Sequence, residues 1–382
     1  MRISNRVTNT AMNRNFSTAV NDVHSKLNKA MNKISSGRAY ESAAENPLAY
    51  YEGKKLDNKF QDLQSKLGLI GDIKHRLEEQ ETGAYSIQTK LAEAQKRMIY
   101  IRSSNNNEGD QTVETIRQDF LQKGQFMANC LNGQYEDYYV FGGSDVTTPP
   151  FSLSDDGKEL TFTHQFPGET AATTMTMKLE NGALTFSGTD KDGNKTNADQ
   201  TVDNILKAMR EQGRVDVGYG DISNRDTLLD TFTGGLNVLT GLTSDALKGM
   251  SDTDAKDLIK ERLLDSPIFL LGQAVQTCDD RLAGGSSQDF SDQMGELIDK
   301  ATKTHSLVGT VYSDIGNKWA ILDGLEDKHK KTSQNLQEQY KDKLGADPYE
   351  SITEMFSYQY SYSAALQIGS KLMQSSLFDF LR

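Results

Sequence analysis

Any chemistry this chain performs must come from a short inventory of side chains. Its five histidines are His24, His75, His164, His305 and His329. None has a second histidine four residues on, so the paired-histidine helix face of a zinc hydrolase is absent. Cys130 and Cys278 are too few for a four-thiolate metal site or a disulfide framework. Cys130 also lies near an apolar helix face, where a thiol packs rather than attacks. Gly157-Lys158 is followed by Glu159, so it fails as a phosphate-binding loop, which needs Ser or Thr there. Gly218-Tyr219-Gly220 lacks a third glycine. Asp190, Asp192 and Asn194 have the spacing of three calcium-loop ligands, but Lys195 replaces the required glycine and Thr201 the bidentate glutamate. The sequence therefore predicts no catalytic, cofactor or metal site and no enzyme.

Stepping outward from these residues, composition narrows the class further. The 382 residues carry 42 basic and 54 acidic side chains, a net charge of −12. No global positive field exists to attract phosphates, so a nucleic-acid partner is not expected. The apolar stretch at Ile268–Leu271 falls far short of the ~20 residues of a membrane helix. The start is polar, with Arg2, Ser4, Asn5 and Arg6, and shows no apolar core of a Sec signal. Charge is unevenly placed. Residues 1–40 hold seven basic side chains against Asp22 alone, while 144–290 hold 13 basic and 24 acidic ones. That asymmetry argues for separate units with different surroundings.

Apolar spacing supplies the elements. Phe16, Val20, Val23, Leu27, Ala30 and Ile34 step by alternating fours and threes, a heptad seam too narrow for a globular core and suited to a partner helix. Ser35-Ser36-Gly37 ends it and Pro47 restarts the chain. A longer seam follows through Leu56, Phe60, Leu63, Leu67, Ile70, Ile73, Leu77, Gln80, Ala84, Ile87, Leu91, Ala94, Met98 and Ile101. Residues 56–103 as one helix would reach about 72 Å, more rod than globule. Asn105-Asn106-Asn107-Glu108-Gly109 interrupts it, and a third helix is expected from Thr112 to Asn132.

From Pro149-Pro150 the pattern changes. Phe151/Leu153 and Leu160/Phe162 flank a turn, and Met175, Met177 and Leu179 alternate up to Asn181-Gly182 before Leu184 and Phe186. Alternating runs around Asn-Gly mark a β-hairpin. Short helices are expected over Val202–Met209, Asp226–Phe232 and Ala255–Leu264, and a flexible junction at Gly284-Gly285-Ser286-Ser287. A second long seam then runs through Ile298, Ala301, His305, Val308, Tyr312, Ile315, Trp319 and Leu322, extended by His329, Leu336, Tyr340 and Leu344. The last helix, about 350–378, carries Ile352, Met355, Tyr358, Tyr362, Ala365, Leu366, Leu372, Met373 and Leu377.

The order is palindromic: short seam, long seam, insert, long seam, short seam. Such a chain folds back on itself antiparallel. The expected fold is mainly α, a long antiparallel helical rod or coiled-coil bundle built from both termini, with a small α+β domain inserted at its distal end. The expected divisions are an assembly helix over 1–40 pairing with 348–382, rod halves over 41–143 and 291–347, and an outward-facing insert over 144–290. The terminal seams pose the central problem, because Met12, Met31, Leu366, Met373, Phe378 and Phe380 would face water in a lone pair of helices. Soluble monomers seldom keep that much apolar surface exposed. The tails are expected to be disordered alone and ordered in a polymer. The candidate assembly residues are Phe16, Val20, Val23, Leu27, Ile34, Tyr362, Leu366, Leu372, Met373 and Leu377. A coiled-coil scaffold is the rival reading, though a scaffold has no need of apolar seams at both extremes.

Met1-Arg2-Ile3-Ser4, the Ser35-Ser36-Gly37-Arg38 turn, Pro47, Ala128-Asn129 and Tyr139-Val140-Phe141-Gly142-Gly143 resemble the N-terminal region of the flagellin and hook-associated protein superfamily. Ile315-Gly316, Asp347-Pro348-Tyr349-Glu350 and Ala365-Leu366-Gln367-Ile368-Gly369 with Ser376-Leu377 resemble its C-terminal region. The likeness covers roughly 1–151 and 295–382. The acidic pair that usually precedes the proline in that family is Glu45-Asn46 here. The start and the Phe-Gly-Gly motif incline the likeness toward the hook–filament junction branch; the closing Phe380-Leu381-Arg382 is similar to a flagellin ending. The resemblance implies a structural subunit exported through the flagellar type III channel and placed outside the cell. It would form a ring between hook and filament and carry mechanical load for motility. Implied partners are copies of itself, the first hook-associated junction protein, flagellin, and an export chaperone on the C-terminal helix.

Overall fold

The computed structural model describes residues 2–40, 42–103, 106, 109–211, 213–216, 228–230 and 233–380, and only the backbone of 2–13, 214–216, 228–230 and 369–380. Internal contacts divide the chain into Met1–Ser65 with Lys328–Arg382, and Lys66–Asp327. The fold is mainly α with long helices and a small inserted sheet.

In the larger unit, the later part of α2 (Pro47–Arg102) buries every residue of the expected seam from Ile70 to Ile101, at 0–2% exposure. The three-four alternation holds without a slip over that span, the signature of helix packed along helix. Its partner stripe on α9 (Ser287–Leu344) differs from expectation. Ala301, Val308, Ile315 and Leu322 are buried, but the positions between them are Leu297, Thr304 and Val311. Ile298, His305, Tyr312 and Trp319 lie one residue further round and are half-buried. The helix carries two adjacent stripes with one spacing. The polar member of the inner stripe is tolerated because the Thr304 hydroxyl donates to the Asp265 carbonyl at 2.7 Å, so its burial leaves no orphaned donor.

α3 (Asp110–Leu131) buries Val113, Ile116, Phe120 and Met127 and packs on α8 (Pro267–Leu282). The motif after it is a plug. Phe141 is fully buried, and a Cβ at Gly83 would stand 2.6 Å from its ring, so only glycine in α2 lets the ring approach. Gln80, in the middle of the apolar seam, donates to the Val140 carbonyl and, at 2.9 Å, to that of Thr233. Gly142 lies against the Asp145 carbonyl, where a Cβ would collide at 1.8 Å, and Gly143 has φ +70°.

The insert contains one five-stranded antiparallel meander, β3 (Phe151–Leu153), β4 (Glu159–His164), β5 (Thr173–Glu180), β6 (Ala183–Thr189) and β7 (Lys195–Thr196), in that order. A two-stranded hairpin, β1 (Gln134–Tyr135) with β2 (Tyr138–Tyr139), precedes it. The expected Asn-Gly turn joins β5 to β6 with Glu180 opposite Ala183. Met175, Met177 and Leu179 point inward as the alternation requires. α4 (Ala198–Arg210) starts at an Asn197–Gln200 capping box. The helix expected over Asp226–Phe232 is not found: Leu228–Asp230 is strand β9, paired with β8 (Arg214–Asp216), and the rest of that segment lies outside the described residues, as does Gly218-Tyr219-Gly220. A run this short cannot be assigned to helix or strand by its apolar residues alone. α5 (Gly235–Thr240), α6 (Ser244–Lys248) and α7 (Asp252–Leu264) complete the insert. Gly284-Gly285 forms a hydrogen-bonded turn instead of a flexible junction: Gly285 N–H donates to the Asp280 carbonyl at 3.0 Å, and the Ser286 hydroxyl caps α9 by accepting from Asp289 N–H at 3.0 Å. One apolar core runs from Ile70 through Met177 to Leu322.

Candidate assembly surface

In the other unit, α1 (Arg2–Ser36) and α10 (Pro348–Phe380) pack antiparallel. His24 meets Tyr362 at 5.2 Å between ring centroids, and Lys33 meets Glu354 at 3.3 Å. Gly37, at φ +67°, closes α1 with its N–H on the Lys33 carbonyl. The chain then pairs Ala39 N–H with the Leu344 carbonyl at 2.6 Å and Ala346 N–H with that of Gly37 at 3.0 Å. Asn46 caps α2 ahead of Pro47, its side chain accepting from Ala49 N–H at 3.1 Å. Asp347 does the same for α10 ahead of Pro348, accepting from Tyr349 N–H at 2.8 Å. Proline at the first helical position costs no hydrogen bond. Gly53 lets Leu344 lie against α2, where a Cβ would overlap its side chain.

The candidate residues divide unevenly. Phe16, Val20, Val23 and Leu27 are half-buried toward α10, and Tyr362 is half-buried toward α1. Ile34 and Leu366 are exposed; Lys33 takes the inward place beside Ile34 and pairs with Glu354. The side chains of Leu372, Met373 and Leu377, and those of Met12, Phe378 and Phe380, lie outside the described residues. Among the described side chains of α1 and α10, Ala30 and Ser351 alone are buried. The terminal pair is thus helical and joined, but open to water along most of its described side chains.

A second apolar face was not anticipated. Tyr349 (85% exposed), Phe356 (60%) and Tyr360 (78%) lie exposed together with Ile352, expected on the inward stripe, at steps of three, four and four, round the helix from Met355, Tyr358, Tyr362 and Ala365, which face α1. The signal was in the sequence, as a second stripe beside the first. Met31 on α1 and Leu48 and Tyr51 on α2 are also exposed. Each lysine of α1 that borders this region has a carboxylate: Lys26 with Asp22 at 2.8 Å, Lys29 with Glu45 at 3.0 Å, Lys33 with Glu354 at 3.3 Å. The Asp22 hydrogen bond holds the Lys26 ammonium above its ordinary range.

The fold is similar to that of a flagellar hook-associated protein. The solved structure is a putative flagellar hook-associated protein from Vibrio parahaemolyticus, with TM-score 0.51 and 12% identity, covering 79% of this chain and all of that one. Flagellar hook associated protein-3 from Legionella pneumophila matches at TM-score 0.42 and 11% identity over 76% of this chain and 98% of that one. FlgL from Bacillus cereus matches at 0.36 and 11% over 77% and 100%. No family model and no curated protein sequence matches the chain.

Several residues with chemical potential are enclosed or already engaged. Burial pushes the Cys278 thiol up to about 12 and the Cys130 thiol above its ordinary value, so neither is a thiolate at neutral pH. Ser144 Oγ lies 3.1 Å from His164 Nε2, a pairing the sequence did not suggest. His164 is fully buried against Phe162 and Phe166, which closes it to substrate. Asp190 accepts from Asp192 N–H, Asn194 N–H and Asn194 Nδ2, so it closes a turn. Among the described residues no group of three or more His, Cys, Asp or Glu could hold a metal, and no helix is long and apolar enough to cross a membrane.

Proposed function

We propose that the chain is a structural, non-catalytic subunit of the bacterial flagellum that forms the junction between hook and filament. The observation that carries the reading is the terminal helix pair: joined, yet apolar and exposed on faces that a single copy leaves uncovered. Water-facing stripes of this length are satisfied when copies stack. The fold likeness and the terminal motifs support the flagellar assignment. Residues 1–40 and 348–382 are the assembly helices, with Phe16, Val20, Val23, Leu27, Ile34, Tyr362, Leu366, Leu372, Met373 and Leu377 in contacts between copies or within the terminal pair. Residues 144–290 face outward from the ring. The neighbours are further copies, the first hook-associated junction protein and flagellin, and an export chaperone covers the C-terminal helix before type III export. The long helices carry bending and torque between the two polymers.

Antibody labelling of intact flagella tests the position. A single band at the filament base is the expected result. Signal along the whole filament would overturn the junction reading in favour of a flagellin-type subunit.

A further inference from the structure

The chain contains two Asn-Gly pairs, Asn132-Gly133 and Asn181-Gly182, and the structure treats them oppositely. Asn-Gly is the dipeptide in which a backbone nitrogen can best attack the preceding side-chain amide, because glycine places no Cβ in the way. Whether it does so in a folded protein depends on how firmly both groups are held.

Asn132 is held at both ends. Its Nδ2 donates to the Phe151 carbonyl at 2.7 Å, its Oδ1 accepts from Phe151 N–H at 2.9 Å, and Gly133 N–H donates to the Cys130 carbonyl at 3.1 Å. Electrophile and nucleophile are both engaged. Asn181 and Gly182 form the two-residue loop of the β5–β6 hairpin, with φ 50° and 78°. That is the turn in which both central residues are left-handed. The strand pairing closes at Glu180 opposite Ala183 and leaves Gly182 outside it. Both loop residues are exposed, and no hydrogen bond among the described residues engages the Asn181 amide or the Gly182 N–H.

We infer that Asn181 is a site of spontaneous deamidation in the folded protein and that Asn132 is protected. Gly182 N bonds to Asn181 Cγ, the Cγ–Nδ2 bond breaks, and ammonia leaves carrying the Gly182 amide proton. Water then opens the cyclic imide at either carbonyl, giving aspartate or isoaspartate. No oxidant, reductant or enzyme is needed. The isoaspartate product inserts a methylene into a two-residue loop whose length fixes the register of Met175, Met177 and Leu179 against the core. Either product adds a negative charge beside Asp280 and Glu296, which line the same 390 Å³ cleft as the loop.

The experiment is peptide mapping of the full chain after incubation at mildly alkaline pH below its unfolding temperature. Lys178 and Lys191 frame a tryptic peptide in which Asn181 is the sole asparagine. That peptide should show amide-to-acid conversion and isoaspartate, at a rate about tenfold or more above Asn132, since the latter must first release its hydrogen bonds. In denaturant the two rates should converge. Asn181→Gly keeps the left-handed turn and should abolish the conversion in that peptide. Equal rates at both sites in the folded protein, an intact Asn181 where the denatured chain converts, or conversion that survives Asn181→Gly would each overturn the inference.

Discussion

The α2–α9 seam of the larger unit and the α1–α10 pair of the other are built from one sequence device and reach opposite ends of it. Both have apolar residues at alternating three and four spacing. From Ile70 to Ile101 every such position is buried, whereas Phe16, Val20, Val23 and Leu27 are only half covered. The seam has the β-sheet, α3 and α8 beside it, so its residues contribute to a core many side chains wide. The terminal pair has one partner each way. Spacing alone specifies that a helix wants a neighbour; how much of it is covered depends on the number of neighbours, and that is what separates a core from an interface awaiting more copies.

Introducing charge sharpens the contrast most. Leu91→Asp puts a carboxylate at a fully buried position with nothing apolar able to solvate it, and should cost about 3–5 kcal/mol. Thermal unfolding should show the larger unit destabilised or lost. Phe16→Asp and Leu27→Asp, at half-buried sites, should leave that transition in place and abolish joining of hook to filament. If either terminal variant still assembles, the terminal seam is not the interface.

Removing volume is the next step down. Ile87→Ala should cost about 2–5 kcal/mol, because the seam around it cannot collapse to fill the cavity. Leu27→Ala should cost below about 1 kcal/mol in the monomer, since water already reaches the site. Chemical denaturation of both variants, followed by circular dichroism, reads the difference. Equal losses would mean the terminal pair is packed as tightly as the core.

Much of this was legible beforehand because it is local. The α2 seam, the Asn-Gly hairpin and the Pro47 and Pro348 helix starts all follow from spacing and turn chemistry. The inner stripe of α9 did not: Leu297 and Ile298, or Val311 and Tyr312, are equally apolar by spacing, and burying Thr304 relies on the Asp265 carbonyl, 39 residues away in sequence. β9 is not legible for a different reason: Leu228–Asp230 is too short a run for its apolar residues to distinguish helix from strand. Among the candidate assembly residues, spacing places Ile34 on the inward stripe, where Lys33 instead turns in. It passed over Tyr349, Phe356 and Tyr360 because a helix was assumed to have one apolar face.

Acid should separate the two regions as well. Burial holds His164 below its ordinary value of 6.5, with the adjacent Lys207 adding to that; Asp145 and the Gly142 backbone pull the other way. The unfolded chain therefore takes up a proton that the folded one refuses. Stability from this site is complete above about pH 6.5 and falls as the pH drops through and below that value. His164→Gln, which can keep a hydrogen bond to Ser144 Oγ, should flatten that part of the stability–pH curve for the larger unit. An unchanged slope would assign it to groups other than His164.

The smallest contrast lies between two lysines. Burial lowers the Lys74 ammonium's pKa, but the Asp323 and Glu326 carboxylates at 2.6 and 2.8 Å outweigh that and hold it above its ordinary value. Its side chain is 14% exposed, and it lies 4.4 Å from the Trp319 ring centroid. Lys33 meets Glu354 at 3.3 Å, with the two side chains 32% and 36% exposed. Lys74→Met should cost about 1 kcal/mol, the sum of a partly screened ion pair and a ring contact. Lys33→Met should cost below about 0.5 kcal/mol and lose even that at high salt. Urea titrations at low and high salt compare them. A larger loss at Lys33 would reverse the ranking of the two regions, since a pair that open to solvent can be strong only where neighbouring side chains exclude water from it.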